Sequence, residues 1–315
     1  MVTGMTQNQP LVSVIMNCLN GEAYLREAIE SVFAQTYQNW EIVFYDNASI
    51  DASAAIAHSY GNKLKYVRGE STIPLGAARN AAIAHASGDF VAFLDTDDKW
   101  LPQKLEEQIR LMAAHPESKL CYSNVYVLKA SSGKMCLAYE QPQPSGNVFA
   151  SFLRYYPMNL QTVVVQRHAL LELPELFDET LEVSEEYDVF MRFLYGAEVI
   201  YLDQPTAIYR VHTNMTSVRK SDRYPVENEY ILSKLKKMVP NLDQLYPSQL
   251  RYLQAKIGYW YAVADMAKGK KLQARAHLKP HRLIALEFMV LFLTTYLPIK
   301  VWRLLLSSKT LLGAR

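Results

Sequence analysis

Residues Phe90 to Lys99 read Phe-Val-Ala-Phe-Leu-Asp-Thr-Asp-Asp-Lys. The apolar run from Phe90 to Leu94 predicts a buried strand, and three acids follow it: Asp95, Asp97 and Asp98. Ligands of open α/β sheets bind at the carboxyl edge of the strands. Because clustered carboxylates repel one another, this group favours a divalent cation, and oxygen ligands suit Mg2+ or Mn2+ better than zinc. The alternative is that the acids only cap a helix starting near Leu101.

The segments before this strand alternate between strand and helix patterns. We predict strands at Val12 to Met16, at Ile42 to Tyr45 and around Tyr66, and helices at Leu25 to Phe33 (capped by Asn20), Ala54 to Ile56 and Ala77 to Ala86. This alternation predicts right-handed crossovers and a mostly parallel sheet in an α/β fold. A dinucleotide dehydrogenase is excluded, because the turn after the first strand lacks the G-x-G-x-x-G pattern.

Composition limits the class of protein further. The 315 residues can hold one catalytic domain with an appendage, and half of them are apolar. The three cysteines show no metal-ligand pattern, which suits a reducing compartment, and residues 1–10 do not resemble a signal peptide. We therefore expect a cytoplasmic protein, and we expect no nucleic-acid partner. From Lys268 onward ten Lys or Arg face one acid, Glu287, which suggests a surface for anionic lipid.

Beyond residue 112 the pattern is less regular. We predict a hairpin of strands Leu120 to Leu128 and Met135 to Tyr139, a strand at Val163 to Val165, a helix at Ser184 to Tyr195 and a strand at Ile208 to His212. On the helix, Glu186 is predicted to be the single inward-facing acid. Asp188 is predicted to lie on another face and to pair with Arg192, and Glu185 lies at the margin. An inward acid needs a task or a partner, although a charge at the helix N-terminus explains Glu186 equally well.

Seven ordered motifs make the chain resemble the family 2 nucleotide-sugar glycosyltransferases of bacterial surface-polysaccharide synthesis. The resemblance covers residues 11–217, and it rests on the order and spacing of the motifs rather than on any one of them. They are Val-Ser-Val-Ile-Met-Asn (12–17), Leu-Arg-Glu-Ala-Ile-Glu-Ser-Val-Phe-Ala-Gln-Thr-Tyr (25–37), Asp-Asn-Ala-Ser-Ile-Asp (46–51), Ala-Arg-Asn (78–80), Phe-Leu-Asp-Thr-Asp-Asp (93–98), Glu-Glu-Tyr-Asp (185–188) and Tyr-Arg-Val-His (209–212).

The resemblance implies a GT-A fold and an inverting transfer of a sugar from a nucleoside diphosphate donor to an acceptor hydroxyl. By the family pattern Asp95 faces the ribose, and Arg79 lies where a basic residue approaches the nucleotide. Asp97 holds Mn2+ or Mg2+, His212 completes the metal shell, and Asp98 tunes the group or joins it. Glu186 takes the position of the catalytic base, which is commonly Asp, and Glu185 and Asp188 are reserves.

The resemblance also assigns donor contacts at the base pocket. They fall to Asn17, Leu19, Asp46 and Asn47. The family often has an aromatic residue where Leu19 stands and a second Asp, reading the uracil edge, where Asn47 stands. Asn offers a donor as well as an acceptor, whereas Asp only accepts. A UDP donor is therefore an expectation from the family rather than from these residues.

We predict a catalytic domain over residues 1–220, with a donor half at about 11–112 and an acceptor half at about 113–220, and a helical extension over 221–315. The extension reads as a helical hairpin with its turn at Gly269, followed by the apolar run Leu283 to Pro298. That run is short for a membrane span, so it predicts either an interfacial helix on the inner leaflet or a core helix of the hairpin.

The acceptor is expected to be a glycan or lipid-linked, for O-antigen, capsule or exopolysaccharide synthesis. Two alternatives to a glycosyltransferase stay open. One is a catalytically silent nucleotide-sugar binding module, which the Glu at position 186 favours. The other is a sugar nucleotidyltransferase, although such enzymes usually carry a Gly-rich basic loop where residues 17–21 stand.

Overall fold

The computed structural model describes residues 9–302, which form two compact units. The first unit contains the residues up to Val148 and Met158–Thr213, and the second contains Phe149–Pro157 and the residues from Asn214 onward. A division into separate domains at residue 220 stays a prediction. The predictions that rest on residues 1–8 or on the basic residues 303, 309 and 315 lie outside the described residues.

One sheet runs through the first unit. Among the described residues it has nine strands: β1 Val12–Cys18, β2 Trp40–Asp46, β3 Leu64–Arg68, β4 Phe90–Phe93, β5 Lys99–Trp100, β6 Ser118–Lys129, β7 Met135–Leu137, β8 Val164–Gln166 and β9 Glu198–Val211. Their order is β3-β2-β1-β4-β8-β6-β9-β5, with β7 paired to β6. The first four strands in this order are parallel, whereas β8 is antiparallel to both of its neighbours. The predicted α/β fold and the predicted hairpin of β6 and β7 are confirmed.

The helices follow the strands in the expected alternation. Along the described chain they are α1 Leu25–Phe33, α2 Ser53–His58, α3 Leu75–Ala84, α4 Lys104–Ala114, α5 Phe149–Arg154, α6 Arg167–Leu171, α7 Glu185–Leu194, α8 Thr216–Arg219, α9 Tyr224–Met238, α10 Leu242–Leu245, α11 Pro247–Ala267, α12 Lys271–Leu278 and α13 Leu286–Thr294. The inward stripe predicted for α1 is buried at Leu25, Ala28, Ile29 and Val32.

The core of the first unit explains the unbroken apolar runs of its strands. Six of the seven residues of β1 are buried, Asn17 being the exception. A strand covered on both faces needs apolar side chains at successive positions rather than at alternate ones. The carboxyl ends of β1, β2 and β4 therefore lie at one edge of a buried, parallel part of the sheet.

The alternative role of the three acids as a helix cap and the predicted cap of α1 by Asn20 are both wrong. Helix α4 begins at Lys104, after the short strand β5, and its N-cap residue is Gln103, so Asp95, Asp97 and Asp98 do not cap it. Asn20 does not cap α1, whose N-cap residue is Tyr24. The Asn20 backbone is left-handed, with φ 55°, and its side-chain oxygen accepts the N–H of Ile50 at 2.9 Å. A short amide side chain suits both a cap and a left-handed turn, so the pattern did not separate them.

The second unit is helical. Helices α11 and α12 form the predicted hairpin, and Gly269 makes its turn with φ 79°, a conformation that glycine adopts without a steric cost. Its core includes Tyr259, Met266 and Leu278, against which Phe288 and Leu291 of α13 pack. Within residues 9–302 no helix is both long enough and apolar enough to cross a membrane.

Candidate active site

Parallel pairing brings the predicted donor-site residues to one edge of the sheet. Cys18 at the end of β1 lies opposite Asp46 at the end of β2, and Ile15 of β1 lies opposite Phe93 of β4. The turns that leave these strands therefore start side by side. Asn17 is partly exposed, and its amide nitrogen is buried without a hydrogen-bond partner among the described residues. Leu19 is 49% exposed.

The loop after β4 carries Asp95, Asp97 and Asp98 and is called the acidic loop below. Gly21 allows the turn after β1 to approach this loop. A Cβ atom at Gly21 would lie 2.9 Å from the Thr96 hydroxyl oxygen and 2.9 Å from the Cys18 sulfur. Thr96 stands between Asp95 and Asp97 in the chain. The turn therefore packs directly against the acidic loop, which requires a residue without a side chain at position 21.

The side chains of Asp46 and Asn47 are engaged within the protein. Asp46 accepts hydrogen bonds from the Tyr66 hydroxyl at 2.6 Å, from Arg68 at 2.7 Å and from the Ser49 N–H at 2.7 Å. Asn47 donates to the Ile73 carbonyl at 2.8 Å and accepts the Ile73 N–H at 3.0 Å. These contacts hold the loops that border the predicted base pocket. Direct contact of either side chain with a base stays a prediction.

Asp97 and His212 lie together, as the metal-site hypothesis requires. The His212 Nε2 atom is 2.9 Å from a carboxylate oxygen of Asp97, and both side chains are partly exposed, 17% for His212 and 33% for Asp97. Burial and the nearby Asp95 raise the pKa of Asp97, although His212 opposes the shift. A carboxylate beside an imidazole is a donor set that Mn2+ accepts, and a cation would offset the repulsion between the acids. The residues present therefore fit the predicted metal.

Arg210, near the end of strand β9, holds the acidic loop. Its backbone N–H donates to Asp98 at 2.7 Å, and its Nε donates to the backbone carbonyl of Asp97 at 2.8 Å. Its guanidinium also donates to Glu27 at 2.8 Å and lies 4.3 Å from the centre of the Tyr24 ring. Asp98 is 2% exposed, and burial together with Asp97 and Asp95 raises its pKa well above the usual value. Asp98 thus anchors β9 to the loop.

Arg79 joins the acidic loop to helix α7. Its guanidinium donates to Glu185 at 2.6 Å and to Asp95 at 3.0 Å, and its side chain is only 4% exposed. Burial lowers the pKa of Arg79, but the carboxylates of Asp95, Glu185 and Glu186 outweigh burial and raise it above its ordinary value. The cation therefore lies between the strand end and the first turn of α7.

The acids of α7 are not buried in the predicted order. Glu186 is not the single inward acid: Glu185 is 5% exposed and Asp188 is fully buried, whereas Glu186 is partly exposed. From Asp188 to Leu194 every residue of α7 is buried, so no single stripe defines its inner side. The predicted ion pair of Asp188 and Arg192 is present at 2.7 Å. Both reserve acids are thus buried and ion-paired.

The Glu186 carboxyl holds its proton more tightly than an ordinary glutamic acid. Burial raises its pKa, the Glu185 and Asp95 carboxylates raise it further, and Arg79 partly opposes them; the resulting pKa is about 8. A carboxyl whose pKa is near the working pH is suited to receive a proton and release it again. Glu186 is therefore a chemically suitable base beside the predicted donor site.

A second group of acids lies outside the predicted metal site. Among the described residues, Glu175, Asp178 and Asp188 place one oxygen each within 4.8 Å of one another. The guanidinium of Arg192 donates to Asp188 and to the backbone carbonyls of Glu175 and Leu176. This cation offsets the charge of Asp188 and ties the backbone of Glu175 and Leu176 to α7.

Solved structures with a similar fold include a mannosyltransferase. S. aureus TarS 1-349 superposes with a TM-score of 0.65 at 18% identity, over 95% of this chain and 90% of the TarS chain. The mannosyltransferase PcManGT from Pyrobaculum calidifontis, in complex with GDP-Man and Mn2+, superposes with a TM-score of 0.61 at 18% identity, over 96% and 85%. The fold is that of a GT-A glycosyltransferase, as predicted.

Sequence comparisons define the family. The profile of glycosyl transferase family 2 matches residues 13–135. An uncharacterised glycosyltransferase of Rickettsia prowazekii is 30% identical over 268 residues, which cover 81% of this chain and 84% of the relative. TuaG of Bacillus subtilis, whose name assigns it provisionally to teichuronic acid biosynthesis, is 38% identical over 111 residues, or 34% of this chain and 44% of TuaG. The chain belongs to glycosyl transferase family 2, and its relatives include proteins of cell-surface polysaccharide synthesis.

Some residues around the site had no predicted role. Arg210 belongs to the Tyr-Arg-Val-His motif, but its contacts with Asp97 and Glu27 span 113 and 183 residues of sequence, which no local pattern reveals. Tyr66 and Arg68 lie on β3, where only a strand was predicted. Tyr66 and Arg68 are two residues apart, and residues two apart share a face of a strand. This spacing was a usable signal that both side chains point the same way, and both donate to Asp46.

Proposed function

We propose that this chain is an inverting glycosyltransferase that moves a sugar from a nucleoside diphosphate sugar to an acceptor hydroxyl. One observation carries the proposal: Arg79 ion-pairs with both Asp95 and Glu185. The contact links the carboxyl edge of the sheet, where a donor would bind, to the helix that carries Glu186. A base and a donor site held by one buried cation keep a fixed separation, as a displacement reaction requires.

The donor is proposed to bind between Asp95 and the turn after β1, with Asp97 and His212 holding Mn2+ or Mg2+. When bound, the cation neutralises negative charge that gathers on the departing diphosphate. The 2.9 Å approach of His212 to Asp97 supports this assignment. The presence of Mn2+ in the PcManGT complex, which has a similar fold, also supports it.

Glu186 is proposed to act as the general base. Its carboxylate takes the proton of the acceptor hydroxyl while the hydroxyl oxygen forms a bond to the anomeric carbon, and the bond from that carbon to the diphosphate breaks on the opposite face. The configuration of the anomeric carbon is therefore inverted. General bases contribute about 10²- to 10⁴-fold to such rates.

UDP is the favoured nucleotide of the donor. TarS 1-349 structures in complex with UDP and with UDP-GlcNAc share this fold, with a TM-score of 0.56 each, although the PcManGT complex contains GDP-Man. The acceptor is proposed to be a surface glycan or its lipid-linked precursor. A cytoplasmic location agrees with the free thiols of Cys18, Cys121 and Cys136.

A thermal-shift titration with UDP, GDP and their sugar derivatives, each with and without Mn2+, tests donor binding. The expected result is a rise in melting temperature that needs both a nucleotide and Mn2+, because a ligand that binds only the folded state stabilises it. Donor hydrolysis by wild type and by Glu186→Gln then tests catalysis. A donor-dependent shift with equal background hydrolysis in both proteins would identify a silent binding module instead.

A further inference from the structure

Helix α13 is apolar on its outer side as well as its inner side. Phe288 and Leu291 are buried in the core of the second unit, at 2% and 3% exposure. On the other side of the same helix Leu286 is 74% exposed and Leu293 is 57% exposed. A helix on the surface of a protein in water normally presents polar side chains opposite its buried stripe.

The exposed residues continue beyond the helix and form one stripe. We define the α13 face as Leu283, Leu286, Met289, Leu293 and Tyr296, which are between 37% and 74% exposed. The acid within this stretch, Glu287, is partly buried and accepts a hydrogen bond from the Tyr252 hydroxyl at 2.8 Å. Contiguous exposed apolar side chains of this kind mark a surface that contacts another apolar phase.

Positive charge surrounds this stripe. Residues 268–302 contain seven Lys or Arg and one acid, Glu287. Lys279 and Lys300 are exposed just before and just after the α13 face. Arg275 lies 4.0 Å from the centre of the Tyr296 ring, and Arg282 lies 5.9 Å from that of Phe292. The apolar stripe is thus flanked by cations at both ends.

We propose that the α13 face inserts into the surface of an anionic lipid bilayer. Helices that lie in the interface bury an apolar face among acyl chains while basic residues meet the lipid headgroups. Here the second unit covers the remaining side of the helix. A second copy of this chain is the weaker alternative, because it would bring the same cations against Lys279 and Lys300. The proposal does not depend on the proposed transfer reaction, since lipid binding requires no donor.

Sedimentation with phospholipid vesicles tests the proposal on the full chain. The protein is expected to bind vesicles that contain phosphatidylglycerol, to bind pure phosphatidylcholine vesicles at least about tenfold more weakly, and to lose affinity as salt is raised. The double variant Leu286→Glu with Leu293→Glu is expected to lower the affinity for anionic vesicles by about tenfold or more. The double variant Lys279→Glu with Lys300→Glu is expected to do the same through charge alone.

The matched control carries two glutamates at other exposed apolar positions of the same unit. Leu245 is 58% exposed and Val218 is 50% exposed, so Leu245→Glu with Val218→Glu is expected to bind vesicles as wild type does. Equal vesicle binding by the α13 variant and this control overturns the proposal, as does an absence of vesicle binding by wild type. A dimer that forms without lipid and that Leu286→Glu with Leu293→Glu dissociates would instead make the α13 face an interface between copies.

Discussion

The imidazole of His212 lies 2.9 Å from the carboxylate of Asp97, although 115 residues separate them in the chain. If this pair holds the metal, Asp97→Asn removes a charged ligand. We expect Mn2+-dependent nucleotide binding to weaken by at least about 100-fold, since changes even beyond the direct ligands cost 10- to 100-fold. Calorimetric titration of UDP with and without Mn2+ measures the effect. Asp243→Asn, at an exposed carboxylate of the second unit, is the control, and an equal response of both variants would exclude Asp97 as a ligand.

The pKa of Glu186 predicts how activity depends on pH. If Glu186 is the proposed base, its active form is the carboxylate, and burial raises its pKa to about 8, so kcat/KM should rise as pH increases through about 8 and level off above it. Glu186→Gln should lower kcat by about 10²- to 10⁴-fold and remove this rise. Initial rates from pH 6 to 10 measure both. The control Glu172→Gln changes an exposed acid and should keep the wild-type profile; a rise that persists in Glu186→Gln belongs to another group.

The Arg79 ion pairs predict a large loss of stability when the cation is removed. Arg79→Met leaves the buried Glu185 carboxylate without its partner, and breaking a buried pair costs about 3–5 kcal/mol. Arg110→Met is the contrast: that side chain is 73% exposed beside Glu107, and such surface pairs contribute little to stability because water screens them. Urea unfolding measures both changes. A similar loss of unfolding free energy in the two variants would mean that the buried Glu185 carboxylate is not stabilised by Arg79.

A substitution at Asp188 distinguishes a contribution to stability from a role in catalysis. Its buried pair with Arg192 predicts that Asp188→Asn lowers the free energy of unfolding by about 3–5 kcal/mol. Because Asp188 is fully buried, the fraction of protein that remains folded should keep its wild-type kcat. Rates corrected for active protein, together with urea unfolding, test both statements. A fall in corrected kcat as large as that of Glu186→Gln would give the role of base to Asp188.

The contacts of Arg210 predict that a substitution there affects the proposed metal site, although Arg210 is not one of the proposed metal ligands. Its Nε holds the Asp97 carbonyl at 2.8 Å, which fixes the loop that aims the carboxylate. Arg210→Lys should keep the charge near Glu27 and lose this oriented contact, weakening Mn2+-dependent UDP binding by about 10- to 100-fold. Lys99→Arg is the control, since Lys99 also pairs with Glu27 at 3.3 Å, whereas the contact with the Asp97 carbonyl comes from Arg210. Excess Mn2+ should restore Arg210→Lys, whereas a defect that excess Mn2+ leaves unchanged would rule out a positioning role.

The parts of the fold that sequence reasoning reached are those that local patterns determine. The runs at Val12 and Phe90 predicted buried strands, and parallel pairing then placed Asp95 beside the end of β1 without further information. The same reasoning failed at α7. A period of 3.6 residues identifies an inner face only when the outer face is polar, and α7 is buried almost all round.

Contacts between distant segments could not be predicted in this way. Arg79 meets Glu185 across 106 residues, and a charged residue at either position is ordinarily read as exposed. Lys104 is a further example: it is 1% exposed, its ammonium contacts Gln108 and the Trp100 ring, and burial lowers its pKa to about 7. Composition and periodicity place such a lysine on the surface.

The pairing of β9 with β6 bears on how the protein folds. Strand β9 delivers both Arg210 and His212 to the acidic loop, and the hydrogen bond from Arg210 to Asp98 closes 112 residues of chain. Contacts of such high sequence separation form late, because the entropy of loop closure must be overcome before they contribute stability. A chain that ends before β9 lacks both Arg210 and His212, so it cannot assemble the Asp97 and His212 pair. If Asp97 and His212 hold the proposed metal, metal-dependent nucleotide binding is expected to appear during refolding only after β9 has paired with β6.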